Sequence, residues 1–237
     1  MKKLSIIVVT YNAEECIEST LLSVRPFLGE DVELICKDGA SSDNTVEILN
    51  QYGDCISVLE SIPDSGVYDG MNQAVDLASG EFIMFVNAGD RVLHLDMKKL
   101  VDSSTCFYWD EARDVVKRDK VNSLFLTRNT PCHQSVIYKR TDFLAFDVNY
   151  GLAADFEQIV RIVKARDVGL SFNSSIVKYA TPGLSSQFFQ PSYTQLLTQL
   201  RHRYRVISNN FGMIERTMCI VFSITTILRK LTKGIFK

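Results

Sequence analysis

The chain has 237 residues with a formal net charge of -2, 46% of them hydrophobic and 23% charged, which suits one large α/β domain with an appendage but not two full domains. This composition excludes a disordered or collagen-like chain, and the charge balance, with no RNA- or DNA-binding signature, excludes nucleic acid as a partner. Cysteines at 16, 36, 55, 106, 132 and 219 form no CxxC pair and no zinc-ligand spacing with the three histidines, so a reducing, cytoplasmic setting is expected.

The first apolar run, Ser5 to Thr10, is too short for the core of an export signal and is read as a strand. Ile17, Leu21 and Val24 follow at i, i+4 and i+7, a helix stopped near Pro26. Val32 to Lys37 predicts a second strand. Ser42 or Asp43 is placed to cap the helix carrying Val46, Ile48 and Leu49, and a short strand is expected near Ile56 to Glu60. Beyond Pro63-Asp64-Ser65-Gly66, a helix from Tyr68 presents Met71, Ala74, Val75 and Ala78 and ends before Gly80. The strand Phe82 to Val86 runs into Asn87-Ala88-Gly89-Asp90. The next forty residues are less regular, with a helix expected over Leu95 to Val101 and strands near Thr105 to Tyr108 and Val115 to Lys117. Gln134 to Lys139 reads as a strand, Asp155 to Lys164 as a helix with Phe156, Ile159, Val160 and Val163 on its apolar face, and Ser171 to Tyr179 as a last strand. Pro182 to Ser186 breaks the pattern, and from Ser192 the chain reads as helical, apolar and basic. Alternating strands and helices at this spacing define an α/β fold around a mostly parallel sheet.

Ligands of open α/β sheets sit beyond the carboxyl ends of the strands. Four places there carry polar groups: Thr10-Tyr11-Asn12, Asp38-Gly39, Asn87 to Asp90, and His133-Gln134 with the carboxylates Asp155 and Glu157. No GxGxxG follows the first strand and no GxxxxGK(S/T) occurs anywhere, so a bound phosphate needs another counter-charge. Mg²⁺ or Mn²⁺ held by a strand-end carboxylate supplies it, and Asp90 is the natural candidate. Taken singly, Asp90 and Asp38-Gly39 also read as ordinary turns and Asp155 as a helix-start acid. Cys132-His133 lacks a third group to orient a thiol nucleophile.

Leu4 to Asn12, Asp38 to Thr45, Pro63 to Asn72 and Asn87 to Asp90, taken in order, resemble family 2 glycosyltransferases over roughly the first ninety residues. His133-Gln134-Ser135 and Ala154-Asp155-Phe156-Glu157 resemble that family's acceptor half. The resemblance implies a GT-A fold over 1–185, its nucleotide-sugar half in 1–90 and its acceptor half in 91–185, followed by a helical tail over 186–237. It implies a nucleotide-sugar donor, a UDP-sugar first among them, and inversion at the anomeric carbon. By position Thr10, Tyr11 and Asn12 line the nucleotide pocket, Asp38 bonds the base, Asp64 lies near ribose or diphosphate, and Asp90 binds Mn²⁺ or Mg²⁺. Asp155 matches the general base, with His133 and Gln134 lining the catalytic pocket. The usual DXD motif reads here as Asn87-Ala88-Gly89-Asp90, with an amide in place of the first carboxylate. That amide adds no charge, so the donor diphosphate has to complete the metal site.

Asp155 and Glu157 both remain open as the base, since two residues apart they cannot share a helix face. The implied acceptor is a saccharide on a polyprenyl diphosphate, in assembly of a bacterial surface polysaccharide; a scaffold that binds nucleotide sugars without turnover is the alternative, favoured by Asn87 alone. A nucleotidyltransferase would need a basic N-terminal loop, and Tyr11 to Glu15 is acidic. Thr217 to Leu228, between Arg216 and Arg229, is too short to span a bilayer. It reads equally as a core helix and as a helix lying on the inner membrane surface among Arg and Lys side chains.

Overall fold

The computed structural model describes residues 2–101, 105–108, 121–166, 170–172, 176–179 and 193–232. Strands β1 (Leu4–Thr10), β2 (Val32–Asp38), β3 (Val58–Ser61) and β4 (Phe82–Asn87) are mutually parallel, in the order β3-β2-β1-β4. The sheet continues through β7 (Val136–Lys139), β6 (Cys106–Tyr108) and β8 (Leu170–Phe172), where β7 is antiparallel to both β4 and β6. Only β7 therefore runs against the rest. A separate two-stranded sheet pairs β5 (Arg91–Val92) with β9 (Val177–Lys178).

All seven residues of β1 are buried, because helices cover both faces of a parallel sheet. Its side chains alternate between two cores. Ile7 and Val9 join Met71 and Ala74 of α3 (Val67–Asp76), Ile159 and Val160 of α5 (Ala154–Arg166), and Val206, Ile207 and Cys219 of α6 (Tyr193–Asn210) and α7 (Met213–Thr232). Ile6 and Val8 face Ile17, Leu21 and Val24 of α1 (Ile17–Val24) and Leu49 of α2 (Thr45–Gln51). A short helix α4 (Ser123–Leu126) packs Phe125 and Leu126 into the first core. The C-terminal helices thus share the core of the sheet.

The expected α1 ends in a 3-10 turn, Arg25–Phe27, that contains Pro26. The N-cap of α2 is Asn44, with no side-chain cap bond, instead of the expected Ser42 or Asp43; Asp43, one residue before it, accepts at Oδ1 from the Thr45 backbone at 3.0 Å. Three further expectations change and one gains detail. Met97–Val101 is a 3-10 turn, not an α-helix, and the Asp96 carboxylate accepts from the Lys98 backbone at 3.1 Å in competition with helical bonding. Residues His133–Ser135 form a 3-10 turn and the strand begins only at Val136; a strand would send neighbouring side chains to opposite faces, whereas here both His133 and Gln134 reach carboxylates of the site. The single strand expected over Ser171 to Tyr179 is two, one closing the main sheet and one pairing with β5. The helical stretch after Ser192 is two helices, separated at Phe211 and Gly212. The expected strand at Val115 to Lys117, the break at Pro182 to Ser186 and the boundary between 185 and 186 lie outside the described residues. Among the described residues, no helix is long and apolar enough to cross a membrane.

Candidate active site

The ends of β1, β2 and β4 lie along one edge, Thr10 paired with Asp38 and Val9 with Asn87. Because β7 runs the other way, its beginning lies beside the end of β4, and the His133–Ser135 turn joins the same edge. The topology alone therefore gathers residues from both halves of the chain.

On the β1–β3 side the loops are tied to one another. Thr10 O accepts from the Gly39 backbone at 2.9 Å. Asn12, at a left-handed φ of 47°, donates its N–H to Ser41 Oγ at 2.8 Å and accepts at Oδ1 from the Ser42 backbone at 2.9 Å. Tyr11 beside it is 64% exposed, a ring free to meet a planar ligand. Asp38 is fully buried, its carboxylate accepting from the Ser41 backbone and hydroxyl at 2.8 and 2.5 Å and from Ser61 Oγ at 2.7 Å.

Lys37, which sequence reasoning passed over, is fully buried near the end of β2, and its ammonium donates to the carbonyls of Asp38 and Ile62. It stands 3.6 Å from Asp64 Oδ2. Asp64 also accepts from the Gly66 backbone at 2.9 Å. A Cβ at Gly39 or Gly70 would come within 2.9 or 2.8 Å of Asp64 Oδ2, so both glycines make room for that carboxylate.

The Asn87–Asp90 turn carries Gly89 at φ 93°, a conformation open to glycine. Its anchor is Thr20 on α1, a buried residue whose hydroxyl accepts from the Gly89 backbone at 2.8 Å and donates to Asp90 O at 2.9 Å. Thr20→Val leaves both backbone groups without that partner, which is expected to cost about 2 kcal/mol and to lower the melting temperature by about 4–8 °C for a chain of this size. Thermal unfolding of Thr20→Val beside Thr20→Ser checks this; equal melting temperatures would remove the anchoring role.

The two carboxylates at the heart of the site are held by consecutive residues. Gln134 Nε2 donates to Asp90 Oδ2, and His133 Nδ1 lies 3.1 Å from Asp155 Oδ2. Asp155, in the first turn of α5, also accepts from the Phe156 backbone at 2.7 Å. Glu157 points elsewhere, into an ion pair with Arg161 at 2.7 Å. Tyr68, another residue sequence reasoning left unassigned, packs edge-on to His133 with ring centroids 6.1 Å apart. Burial, reinforced by the Asp155 charge facing it, pushes the Tyr68 phenol far above its ordinary value, so it stays a neutral hydroxyl. Asn72 pairs both ways with the Phe146 backbone at 2.8 and 2.9 Å, tying α3 to the segment that leads into α5.

Three buried polar atoms along this edge have no hydrogen-bond partner among the described residues: Thr10 Oγ1, Asn87 Oδ1 and His133 Nε2. Buried groups left so are costly unless a ligand meets them. No group of three or more His, Cys, Asp or Glu side chains that could hold a metal occurs among the described residues. One buried carboxylate, Asp90, near the unpartnered amide oxygen of Asn87 is nevertheless an all-oxygen set that fits Mg²⁺ or Mn²⁺, which draw their remaining ligands from substrate phosphates and water.

A mostly parallel sheet of order β3-β2-β1-β4-β7-β6-β8, with an aspartate in the turn after β4, is the arrangement of the GT-A fold. Residues 5–105 match the model of Glycosyl transferase family 2. A PGL/p-HBAD biosynthesis glycosyltransferase of Mycobacterium bovis (strain BCG / Pasteur 1173P2) is 29% identical over 181 residues, covering 66% of this chain and 68% of the relative. Among solved structures, the mannosyltransferase PcManGT of Pyrobaculum calidifontis in complex with GDP-Man and Mn²⁺ superposes with a TM-score of 0.72 at 15% identity, over 97% of this chain and 75% of that one. S. aureus TarS 1-349 in complex with UDP does so with a TM-score of 0.65 at 19% identity, over 93% and 70%.

Proposed function

We propose that the protein is an inverting, metal-dependent transferase that passes a hexose or amino sugar from a nucleotide sugar, a UDP-sugar first among them, to a saccharide on a lipid diphosphate in bacterial surface polysaccharide assembly. The observation that carries this reading is that adjacent residues, His133 and Gln134, each hold one carboxylate, Asp155 and Asp90. A base for an acceptor and a counter-charge for a diphosphate then lie within reach of one another. Complexes of similar folds with UDP, or with GDP-Man and Mn²⁺, support the donor class.

In this reading Thr10, Tyr11, Asn12, Asp38, Asp64, Asn87 and Gln134 hold the donor, and Asp90 with Asn87 would hold Mn²⁺ or Mg²⁺. When bound, that ion supplies Lewis-acid stabilisation of the leaving diphosphate. Asp155 takes the proton of the acceptor hydroxyl as its oxygen bonds the anomeric carbon and the bond to the diphosphate breaks. His133 holds that carboxylate in place. A single displacement inverts the centre, so an α-linked donor leaves a β-linked product. The deciding measurement is release of nucleoside diphosphate from a panel of nucleotide sugars with Mn²⁺, Mg²⁺ or EDTA, with and without a GlcNAc-diphosphate-lipid analogue. Release that needs both metal and acceptor is expected; donor binding without release would favour the scaffold reading.

The reading also places the protein on the cytoplasmic face of the inner membrane. Met213, Ile220, Val221, Ile224, Leu228 and Leu231 are exposed along one side of α7, with Arg216 and Arg229 on the same helix. Such a stripe suits the interface of an anionic bilayer. Ile224→Glu with Leu228→Glu is expected to reduce co-flotation with phosphatidylglycerol vesicles by about tenfold or more. Equal flotation of variant and wild type would remove membrane docking through α7.

A further inference from the structure

A cavity of about 670 Å³ lies between the start of α5 and the two C-terminal helices, and Asp155 is part of its wall. Its volume is that of a small-molecule site. Leu196 and Leu200 of α6, Phe222 of α7 and Phe156 give it a largely apolar lining. Set into that lining is Arg203. Its guanidinium lies over the ring of Phe156 at 5.0 Å and over that of Phe222 at 5.7 Å. It donates to Leu126 O at 3.1 Å and to Thr130 Oγ1 at 2.5 Å.

Those are two of the five N–H donors an arginine carries. No carboxylate of the described residues forms a salt bridge with it. Burial draws Arg203 down to about 10, so it keeps its charge near neutrality. A cation held on two aromatic faces, with no carboxylate partner among the described residues, is suited to a planar or phosphate oxyanion. Lys230 and His202 line the same cavity. Phe156, against whose ring the guanidinium lies, is the residue after Asp155, and Asp155 and Arg203 line the same cavity.

We infer that this cavity receives the acceptor's carrier, with Arg203 binding the phosphate next to the acceptor sugar and the apolar wall of α6 and α7 receiving the start of the lipid chain. The inference rests on the transferase reading above and names which part of the acceptor that site recognises. The opposite side of α7 bears the exposed apolar stripe, so a carrier anchored in a bilayer would reach the cavity along the helix that touches the membrane.

The test compares one acceptor sugar in three forms: on a long-chain diphosphate, on a short-chain diphosphate, and on a neutral long-chain alkyl glycoside. Wild type is expected to favour the long-chain diphosphate over the neutral glycoside by tenfold or more in KM. Arg203→Gln is expected to abolish that preference and Arg203→Lys to keep part of it. Thr226→Trp, which adds bulk to the cavity wall without removing a described hydrogen bond, is expected to raise KM for both long-chain acceptors and to spare the short-chain one. Full preference for diphosphate in Arg203→Gln overturns the phosphate role, and equal KM values for all acceptors in Thr226→Trp overturn the chain-binding role. If Arg203→Gln does not fold, as circular dichroism will tell, Arg203→Lys and Thr226→Trp decide. Acceptor-independent donor hydrolysis and UDP binding by wild type separate this from the broader reading: their loss counts against the transferase, whereas their presence with an unchanged acceptor profile counts against the cavity alone.

Discussion

Asp155→Asn is expected to lower kcat by ~10² to 10⁴ while donor binding persists. The substitution keeps the shape of the side chain: the Phe156 backbone donates to Oδ1 at 2.7 Å and can go on donating to the amide oxygen. The amide NH2 takes the place of Oδ2, 3.1 Å from His133 Nδ1, which accepts from it in the other tautomer. What it loses is the ability to take a proton. Glu157→Gln is the matched control. Glu157 is buried and engaged with Arg161 at 2.7 and 2.8 Å, so its loss should appear as lowered stability with kcat nearly intact. Steady-state kinetics and thermal unfolding of both variants separate the two carboxylates. Normal turnover in Asp155→Asn, or a collapse of turnover at unchanged stability in Glu157→Gln, would exchange their roles.

Asp90→Asn should abolish most of the metal-dependent rate, by ~10² to 10³, because a stabilisation of several kcal/mol at the leaving group is in question and each 1.36 kcal/mol is tenfold. Asparagine is chosen over alanine for a structural reason. Gln134 Nε2 donates to the Asp90 carboxylate in a buried setting, and an amide oxygen at the same place keeps that bond, so the fold survives and only charge is removed. With Asn87 already neutral, the variant has no carboxylate in the turn at all. Nucleoside diphosphate release titrated with Mn²⁺ is the measurement. A variant that saturates at the same Mn²⁺ concentration and turns over at the wild-type rate would show that Asp90 holds no metal.

Much of the fold of residues 1–90 could be read from the chain because its signals are local. Strand, turn and helix follow one another within about ninety residues, and the polar groups of interest come directly after strands, at Thr10, Asp38 and Asn87. What was illegible depends on contacts made across the chain. Thr20 looks like any threonine inside an apolar helix, yet it holds a turn 70 residues away. Lys37 could have been singled out as a lysine directly after the apolar run Leu34-Ile35-Cys36, in a strand buried along its whole length. Arg203 offered no such clue, since a basic residue in an amphipathic helix usually faces water; only the packing of α6 and α7 on α5 puts it between two rings. Gln134 and Ser135 are expected as strand because they lead directly into the apolar run Val136-Ile137-Tyr138, and such a run carries no information about where a strand's first residues bend away.

Helix α7 has two working sides, one lining the cavity at Phe222 and Thr226 and the other exposing Ile224 and Leu228. An enzyme bound by one side and fed through the other meets its acceptor in two dimensions. Its rate then follows the mole fraction of acceptor in the lipid surface rather than the amount per volume. Adding inert lipid at fixed total acceptor would slow it, and a modest supply of carrier would suffice wherever that carrier is crowded into one patch of membrane.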